Sequence, residues 1–252
     1  MKIQQIRNAT IVIEYAGYKF LVDPFLAEKG AYPPFPNSIR EDRNPLVDLP
    51  VPTESLLNNL DAVILTHLHL DHYDDVAKKV IPKDIKMFVQ NQEDADLVQK
   101  DGFTNVEVLQ EDTEFNGIRL IKTPGEHGRG EILKMAGLVC GVVFKHSSEK
   151  TLYVAGDTVW YEAIHRVLTT YKPDVIVVNG GDNQFIQMGS LVMGKDDIYE
   201  VCKAAPNAKI ISVHMEAVNH WGLSREELKN FVDEKGISDN VFVPEDGDSY
   251  TI

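Results

Sequence analysis

The chain has 252 residues, 43% of them hydrophobic, and a formal net charge of −14. That length admits one large domain or two small ones with a sizeable core. The acidic balance argues against a phosphate-backbone partner, and no stretch is apolar enough to span a bilayer.

Residues 1–7 lack the apolar core and cleavage site of a signal peptide, so a cytoplasmic location is expected. Residues 10–15 and 18–22, joined by Ala16-Gly17, read as a β-hairpin that Asp23-Pro24 ends. Residues 28–50 are rich in proline and charge. They read either as a disordered insertion or as an ordered loop beside a pocket, and Tyr32 and Phe35 favour order. Ala62-Val63-Ile64-Leu65 is a short apolar run of the kind that forms a buried strand. A helix over 73–80, a strand over 86–90 and a helix over 93–100 follow. Strands are predicted over 106–110 and 115–123, and a hairpin over 138–145 and 151–155. Then come a helix over 161–171, an apolar strand over 175–178, a helix over 195–205 and a strand over 209–213. Ser224 and Glu227 form a capping box that starts a helix ending at Gly236, and residues 241–243 read as a last strand. Cys140 and Cys202 lie in apolar surroundings outside any Cys-x-x-Cys pair and read as reduced core thiols. No short repeat is present. Strands first, then βα alternation in each half, imply an α/β sandwich forming a single domain over 1–252.

The chemistry begins where the strand at 62–65 should stop. Thr66-His67-Leu68-His69-Leu70-Asp71-His72 holds three of the chain's eight histidines and a carboxylate within one hexapeptide. Imidazole and carboxylate are ligands for first-row transition metals. His67 and His69 share a side on extended backbone. Asp71 and His72 follow at the turn and can reach a neighbouring position, which suits two adjacent metals better than one. More ligands are needed, and three candidates sit at other strand ends: His127, Asp157 and His214. His146, in a turn, and His165, mid-helix, read as surface residues.

The order His-x-His-x-Asp-His, a later His, an Asp after an apolar strand and a late His resembles the metallo-β-lactamase superfamily. The likeness runs from Asp23 to His214. It implies an α/β, four-layer αββα sandwich with the site at one edge. By this resemblance His67, His69 and His127 hold one metal, Asp71, His72 and His214 a second, and Asp157 bridges them. Asp23 matches a position that orders the ligand loop. His214-Met215-Glu216-Ala217-Val218-Asn219-His220-Trp221, Pro244-Glu245-Asp246-Gly247-Asp248 and Gly180-Gly181-Asp182-Asn183-Gln184-Phe185 resemble the L-ascorbate-6-phosphate lactonase-like branch.

The expected cofactors are two divalent transition-metal ions, zinc or manganese, with iron also compatible. Two such ions can bridge a water and lower its pKa toward neutrality. The expected activity is therefore metal-dependent hydrolysis of a small ester, lactone or phosphoester by a metal-bridged hydroxide. Asp71 and His220 are the candidate proton carriers. Arg129, Asn183 and His220 are the candidate substrate contacts, Arg129 as a cation for carboxylate or phosphate. The expected partner is a small, anionic substrate, because bound metal can invert the local field; no nucleic acid or membrane is expected, and homo-oligomerisation is open. A nuclease or phosphodiesterase of the same fold would need a basic groove, which the chain lacks. A mononuclear iron dioxygenase would keep the same histidine run. A non-catalytic metal-binding sensor on a degenerate site is disfavoured by the complete ligand set. The pocket is expected to be shaped by residues 28–50 and 215–221.

Overall fold

The structure is a computed structural model that describes residues 1–252. Strand β1 (Lys2–Arg7) turns at Asn8-Ala9 into β2 (Thr10–Tyr15), which hairpins into β3 (Tyr18–Val22). After a long loop come α1 (Thr53–Leu57), β4 (Ala62–Ile64), α2 (Asp75–Val80), β5 (Lys86–Val89), α3 (Gln92–Lys100) and β6 (Val106–Val108). The second half holds β7 (Thr113–Phe115), β8 (Ile118–Pro124), the one-turn helix α4 (Leu133–Ala136), β9 (Cys140–Lys145), β10 (Leu152–Val154), α5 (Glu162–Tyr171) and β11 (Val175–Asn179). A small hairpin, β12 (Gln184–Phe185) and β13 (Gly189–Ser190), precedes α6 (Lys195–Ala204), β14 (Lys209–Val213), α7 (Arg225–Lys235), β15 (Val241–Phe242) and β16 (Ser249–Thr251).

The strands form two seven-stranded sheets, ordered β16-β1-β2-β3-β4-β5-β6 and β15-β14-β11-β10-β9-β8-β7. Period-2 alternation explains how they stack. In β11, Val175 and Val177 join the cluster between the sheets, while Ile176 and Val178 join the cluster under α5, α6 and α7. In β4, Ala62 and Ile64 face the other sheet, while Val63 packs with Leu56 of α1, Ala77 of α2 and Val98 of α3. Strands buried on both faces read as continuous apolar runs, which is why these two are apolar throughout. The result is the four-layer αββα sandwich.

The site follows from strand direction. β3, β4, β8, β10, β11 and β14 run the same way within their sheets. Asp23, His67, His127, Asp157 and His214 each lie a few residues past the end of one of them.

Two local expectations are corrected, and two elements, β1 and α1, were not foreseen. Residues 115–123 are not one strand: Asn116 (φ 50°) and Gly117 (φ 84°) form a two-residue hairpin turn between β7 and β8, the Asn-Gly signal that flanking apolar residues obscured. β1 was not expected because its alternation is broken. Ile3 joins the inter-sheet cluster and Ile6 the outer one, as period-2 alternation places residues three apart, and a register shift between Gln5 and Arg7 then interrupts the pattern. The strand at 241–242 is not the last, since β16 pairs with β1. Helix α1, one turn long, carries no periodic signal.

Residues 28–50 are an ordered loop, pinned by polar groups rather than by regular structure. The guanidinium of Arg7, 0% exposed, donates to the carbonyls of Phe25, Ala27 and Val47. Asn44 bridges Tyr32.

Phe144 sits at the centre of the inter-sheet core, edge-on to both Tyr15 (5.6 Å) and Phe20 (5.4 Å). Phe144→Ala is expected to cost about 3–5 kcal/mol, measured by urea unfolding. A loss below about 1 kcal/mol would contradict this packing.

Candidate metal centre

His67 follows β4 on the loop that Asp23 fixes. Asp23 accepts from the Thr66 backbone N–H (2.8 Å) and the Thr66 hydroxyl (2.7 Å), and also from His72 Nδ1 (2.9 Å). A ring nitrogen facing a carboxylate carries the proton, so His72 turns its Nε2 lone pair inward. His127 does the same by donating from Nδ1 to the Leu191 carbonyl (2.9 Å).

The seven sequence-predicted ligands come together in three overlapping groups: His67, His69 and His127; His67, His72 and Asp157; Asp71, His72 and His214. Within each group the ligand atoms lie within 4.8 Å of one another. All are buried except His69. Asp157 faces every part of the cluster. Its Oδ2 is 3.2 Å from His72 Nε2, 3.5 Å from His127 Nε2 and 3.9 Å from His67 Nε2; its Oδ1 is 3.7 Å from His214 Nε2. Gly156 precedes it at φ 69°, and a Cβ there would lie 2.5 Å from the Cys140 carbonyl oxygen, so only glycine admits this turn.

The donor set fits a metal. His67 Nε2 is buried and has no hydrogen-bond partner, although it points at a carboxylate and other ring nitrogens. An orphaned buried nitrogen normally costs stability, and a cation among these lone pairs would satisfy it.

Charge within the cluster is strongly coupled. Burial holds His67 well below the usual imidazole range, and the His72 and His69 rings add to this. Burial depresses His69 as well, with His127 acting in the same direction. Burial also opposes charge on His72, yet Asp157, Asp23 and Asp71 outweigh it and hold this imidazole well above its ordinary value. Burial would raise Asp71 and Asp157, but the histidines, His72 foremost, hold both well below the carboxylate range. The chain's own charges thus favour positive charge at the centre of the cluster, where a metal cation would supply it.

Two positioning residues were missed in the sequence, Asn8 and Asn179. The Asn8 amide donates to the Asp71 carbonyl (3.1 Å) and to Asp71 Oδ2 (3.2 Å), while its backbone carbonyl accepts from His214 N–H (2.9 Å). Asn179 donates from its amide to Asp157 Oδ1. Asn179 directly follows the apolar run at 175–178, a strand-end signal like those that flagged the ligands. Asn8 lies in a turn that the sequence does not announce.

A cavity of about 290 Å³ opens on the cluster. His69, Asp71, His127 and Asp157 form its polar side; Phe35, Leu70, Ile132, Met135, Ala136, Phe185, Leu191 and His220 form the rest. Residues 28–50 contribute Phe35 and residues 215–221 contribute His220, held together by Asn219, which bonds the Phe35 N–H (2.9 Å) and the Arg40 carbonyl (2.8 Å). Unforeseen were the walls from residues 132–136 and the β12–β13 hairpin.

His220 is packed edge-on to Phe35 (4.9 Å) and stacked on Phe185 (5.4 Å). Burial pushes its imidazole down to about 4, so it is neutral at neutral pH. Asn183 lies behind it, with Nδ2 3.4 Å from His220 Nε2, and does not line the cavity. Arg129 is not brought to the cavity: its guanidinium is paired with Asp197 (2.8 Å) and half exposed. The expectation of an anion-binding arginine is therefore corrected, because an acid on α6 already takes the cation. His146 pairs with Ser148 in a turn, and His165 lies on the exposed face of α5 against Trp160.

Residues 18–215 match the family described as a beta-lactamase superfamily domain. UPF0173 protein YddR of Bacillus subtilis (strain 168) is 68% identical over 253 residues, covering 100% of both chains. The crystal structure of an isothiocyanate hydrolase from Delia radicum gut bacteria shares 44% identity at a TM-score of 0.95, covering 100% of this chain and 99% of that one. A possible metal-dependent hydrolase from Veillonella parvula shares 42% identity at a TM-score of 0.97 over the same extents. The chain belongs to the metallo-β-lactamase superfamily, as a metal-dependent hydrolase of the UPF0173 family.

Asp23→Ala removes the partner that fixes His72 and the ligand loop. Metal affinity is expected to fall about 10–100-fold, read by chelator competition. His165→Ala should leave affinity unchanged; equal effects would contradict this placement.

Proposed function

We propose that this member of the superfamily hydrolyses a small, neutral carbon electrophile of the isothiocyanate type, with two divalent transition-metal ions held by the His/Asp cluster. The observation that carries the reading is the cavity: it is mostly apolar, contains no lysine or arginine, and meets the cluster at one side. An anionic substrate would find two carboxylates there and no protein cation. Support comes from the isothiocyanate hydrolase, alike over the whole chain. Esters and lactones offer a comparable carbon centre. A phosphoester, or a lactone carrying a phosphate, is less well served by these walls.

His67, His69 and His127 would hold one ion and Asp71, His72 and His214 the other, with Asp157 between them. Mixed imidazole and carboxylate donors suit zinc, manganese or iron. Bound there, the ions would supply Lewis acidity and a water acidic enough to be nucleophilic at neutral pH.

The balance of the reaction is simple. Water adds across the C=N bond of R–N=C=S to give R–NH–C(=O)–SH, which loses carbonyl sulfide and leaves R–NH₂. A proton must therefore pass from water to the substrate nitrogen. Asp157 is occupied on both oxygens, by Asn179 and by the imidazoles. Asp71 borders the cavity and is the remaining carboxylate for that transfer. His220 is neutral, and its Nδ1 is buried without a partner. It serves as a hydrogen-bonding wall that orients the substrate rather than as the proton source.

Full-length protein reconstituted with zinc or manganese is expected to hold two ions per chain by elemental analysis and to release amine from benzyl isothiocyanate. One tightly bound ion at saturation would refute the dinuclear assignment. Absence of isothiocyanate turnover alongside turnover of lactones or phosphoesters would redirect the substrate class. Asp157→Ala is expected to lose activity together with one or both ions, since no neutral ligand replaces a carboxylate that faces both groups.

A further inference from the structure

We infer that Met135, on α4 at the cavity mouth, selects the apolar group of the substrate. The inference rests on the isothiocyanate-type reading above. Met135 lines the cavity, yet its side chain is 71% exposed. Of the ligands at the other side, Asp71, His127 and Asp157 are buried and only His69 is exposed, so the cavity runs from a polar floor to a mouth where Met135 stands in water. A substrate whose reactive carbon sits at that floor must direct its remaining group outward, past Phe185 and Ile132, onto Met135. A large apolar side chain left mostly in water gains when such a group covers it.

The way α4 is held supports this role. It is a single turn without a side-chain N-cap bond. Its anchors, Ile132 and Ala136, pack on Leu191 and Val192 in a small cluster separate from the three that build the sandwich. The segment can therefore adjust without disturbing the sheets. Methionine, unbranched and polarisable, is suited to fitting groups of varied shape. No cation lines the cavity, and the two nearest in sequence are paired with acids, Arg129 with Asp197 and Lys134 with Glu131. Arylalkyl groups should be favoured over methyl, and carboxylate-bearing groups disfavoured.

The test compares kcat/KM for 2-phenylethyl and methyl isothiocyanate on the metal-loaded full chain. The wild-type ratio is expected to favour the phenylethyl compound, and Met135→Ser to lower that ratio about tenfold, the equivalent of losing roughly half a buried methionine side chain. Leu97→Ser removes another exposed large apolar side chain, on α3 and away from the cavity, and should leave the ratio unchanged. A ratio unaltered within about twofold in Met135→Ser, or equal effects of the two variants, overturns the inference. Calorimetric binding of N-methyl- and N-phenylethylformamide to the same proteins separates it from the proposed function. If no isothiocyanate is turned over but affinity climbs with the larger group only while Met135 is present, the reaction assignment fails and the selector stands. If affinity is independent of that group, the selector fails whatever the turnover.

Discussion

Five imidazoles and two carboxylates meet in a pit at the end of the sandwich, and all but His69 are shut off from water. Each buried polar group costs free energy unless it is paired, and the rings also repel one another once protonated. Asp23 and Asp157 partly offset this by flanking His72, but His67 Nε2 and His214 Nδ1 keep no partner at all. Such a cluster persists only where the scaffold cannot relax around it. The scaffold meets that demand by placing the ligands on segments that leave core strands, of which β4, β10 and β14 are buried along nearly their whole length, so that a shift of these segments would drag core residues with it. Function and fold are coupled at this point: the arrangement that penalises the empty polar cluster is the one that pre-forms it for a cation.

The ligands themselves were legible because they follow predicted strands. The apolar run at 62–65 predicted a strand, and the histidines after it could only lie at its end; the strands predicted over 115–123, 151–155 and 209–213 placed His127, Asp157 and His214 in the same way. The paired-sheet architecture was legible for the same reason, since strands apolar at every position must be covered twice. What stayed hidden were features whose sequence signal is irregular. β1 has only two apolar residues, Ile3 and Ile6, on opposite faces, and a register shift interrupts its alternation. Asn8 is a polar residue in a turn no pattern announced. The cavity walls from residues 132–136 and 184–191 come from one-turn and two-residue elements, too short for any periodicity to register. Arg129 was misread because its partner, Asp197, lies 68 residues away in the chain and only the fold brings them together.

Two of these hidden features, β1 and Asn8, also hold the second half of the cluster, together with the capping-box helix. His214 and Glu216 both adopt left-handed backbone (φ 61° and 59°), which costs a non-glycine residue about 1–3 kcal/mol and survives only when its surroundings impose it. The imposition is visible. Asn8 receives the His214 N–H, and Gln5 of β1 bonds the Asn8 carbonyl (3.0 Å). Arg225, at the start of α7, holds Glu216 (2.8 Å) with one arm and Asp246 with the other. Gln5 also reaches Asp246 (3.4 Å), which closes the ring of contacts. The first strand, the capping-box helix and the C-terminal segment that leads into β16 thus converge on one ligand loop.

The same loop continues into Asn219 and His220, so the support extends from the ligands to the cavity. Asn219 ties residues 28–50 to it, and Arg40 lies over the Trp221 ring at 3.5 Å while donating to the Trp221 carbonyl. Phe35 and His220 therefore reach the cavity as one unit rather than as two independent loops. A wall assembled this way is rigid, whereas the opposite wall, α4 with its satellite cluster, is not tied to the sandwich by comparable polar contacts. The cavity joins a fixed face, which carries the hydrogen-bonding ring beside the reacting atoms, to an adaptable face of aliphatic side chains. In the proposed reaction, that division would let one constant chemistry at the floor act on substrates whose outer groups differ, because only the adaptable face would have to change to accommodate them.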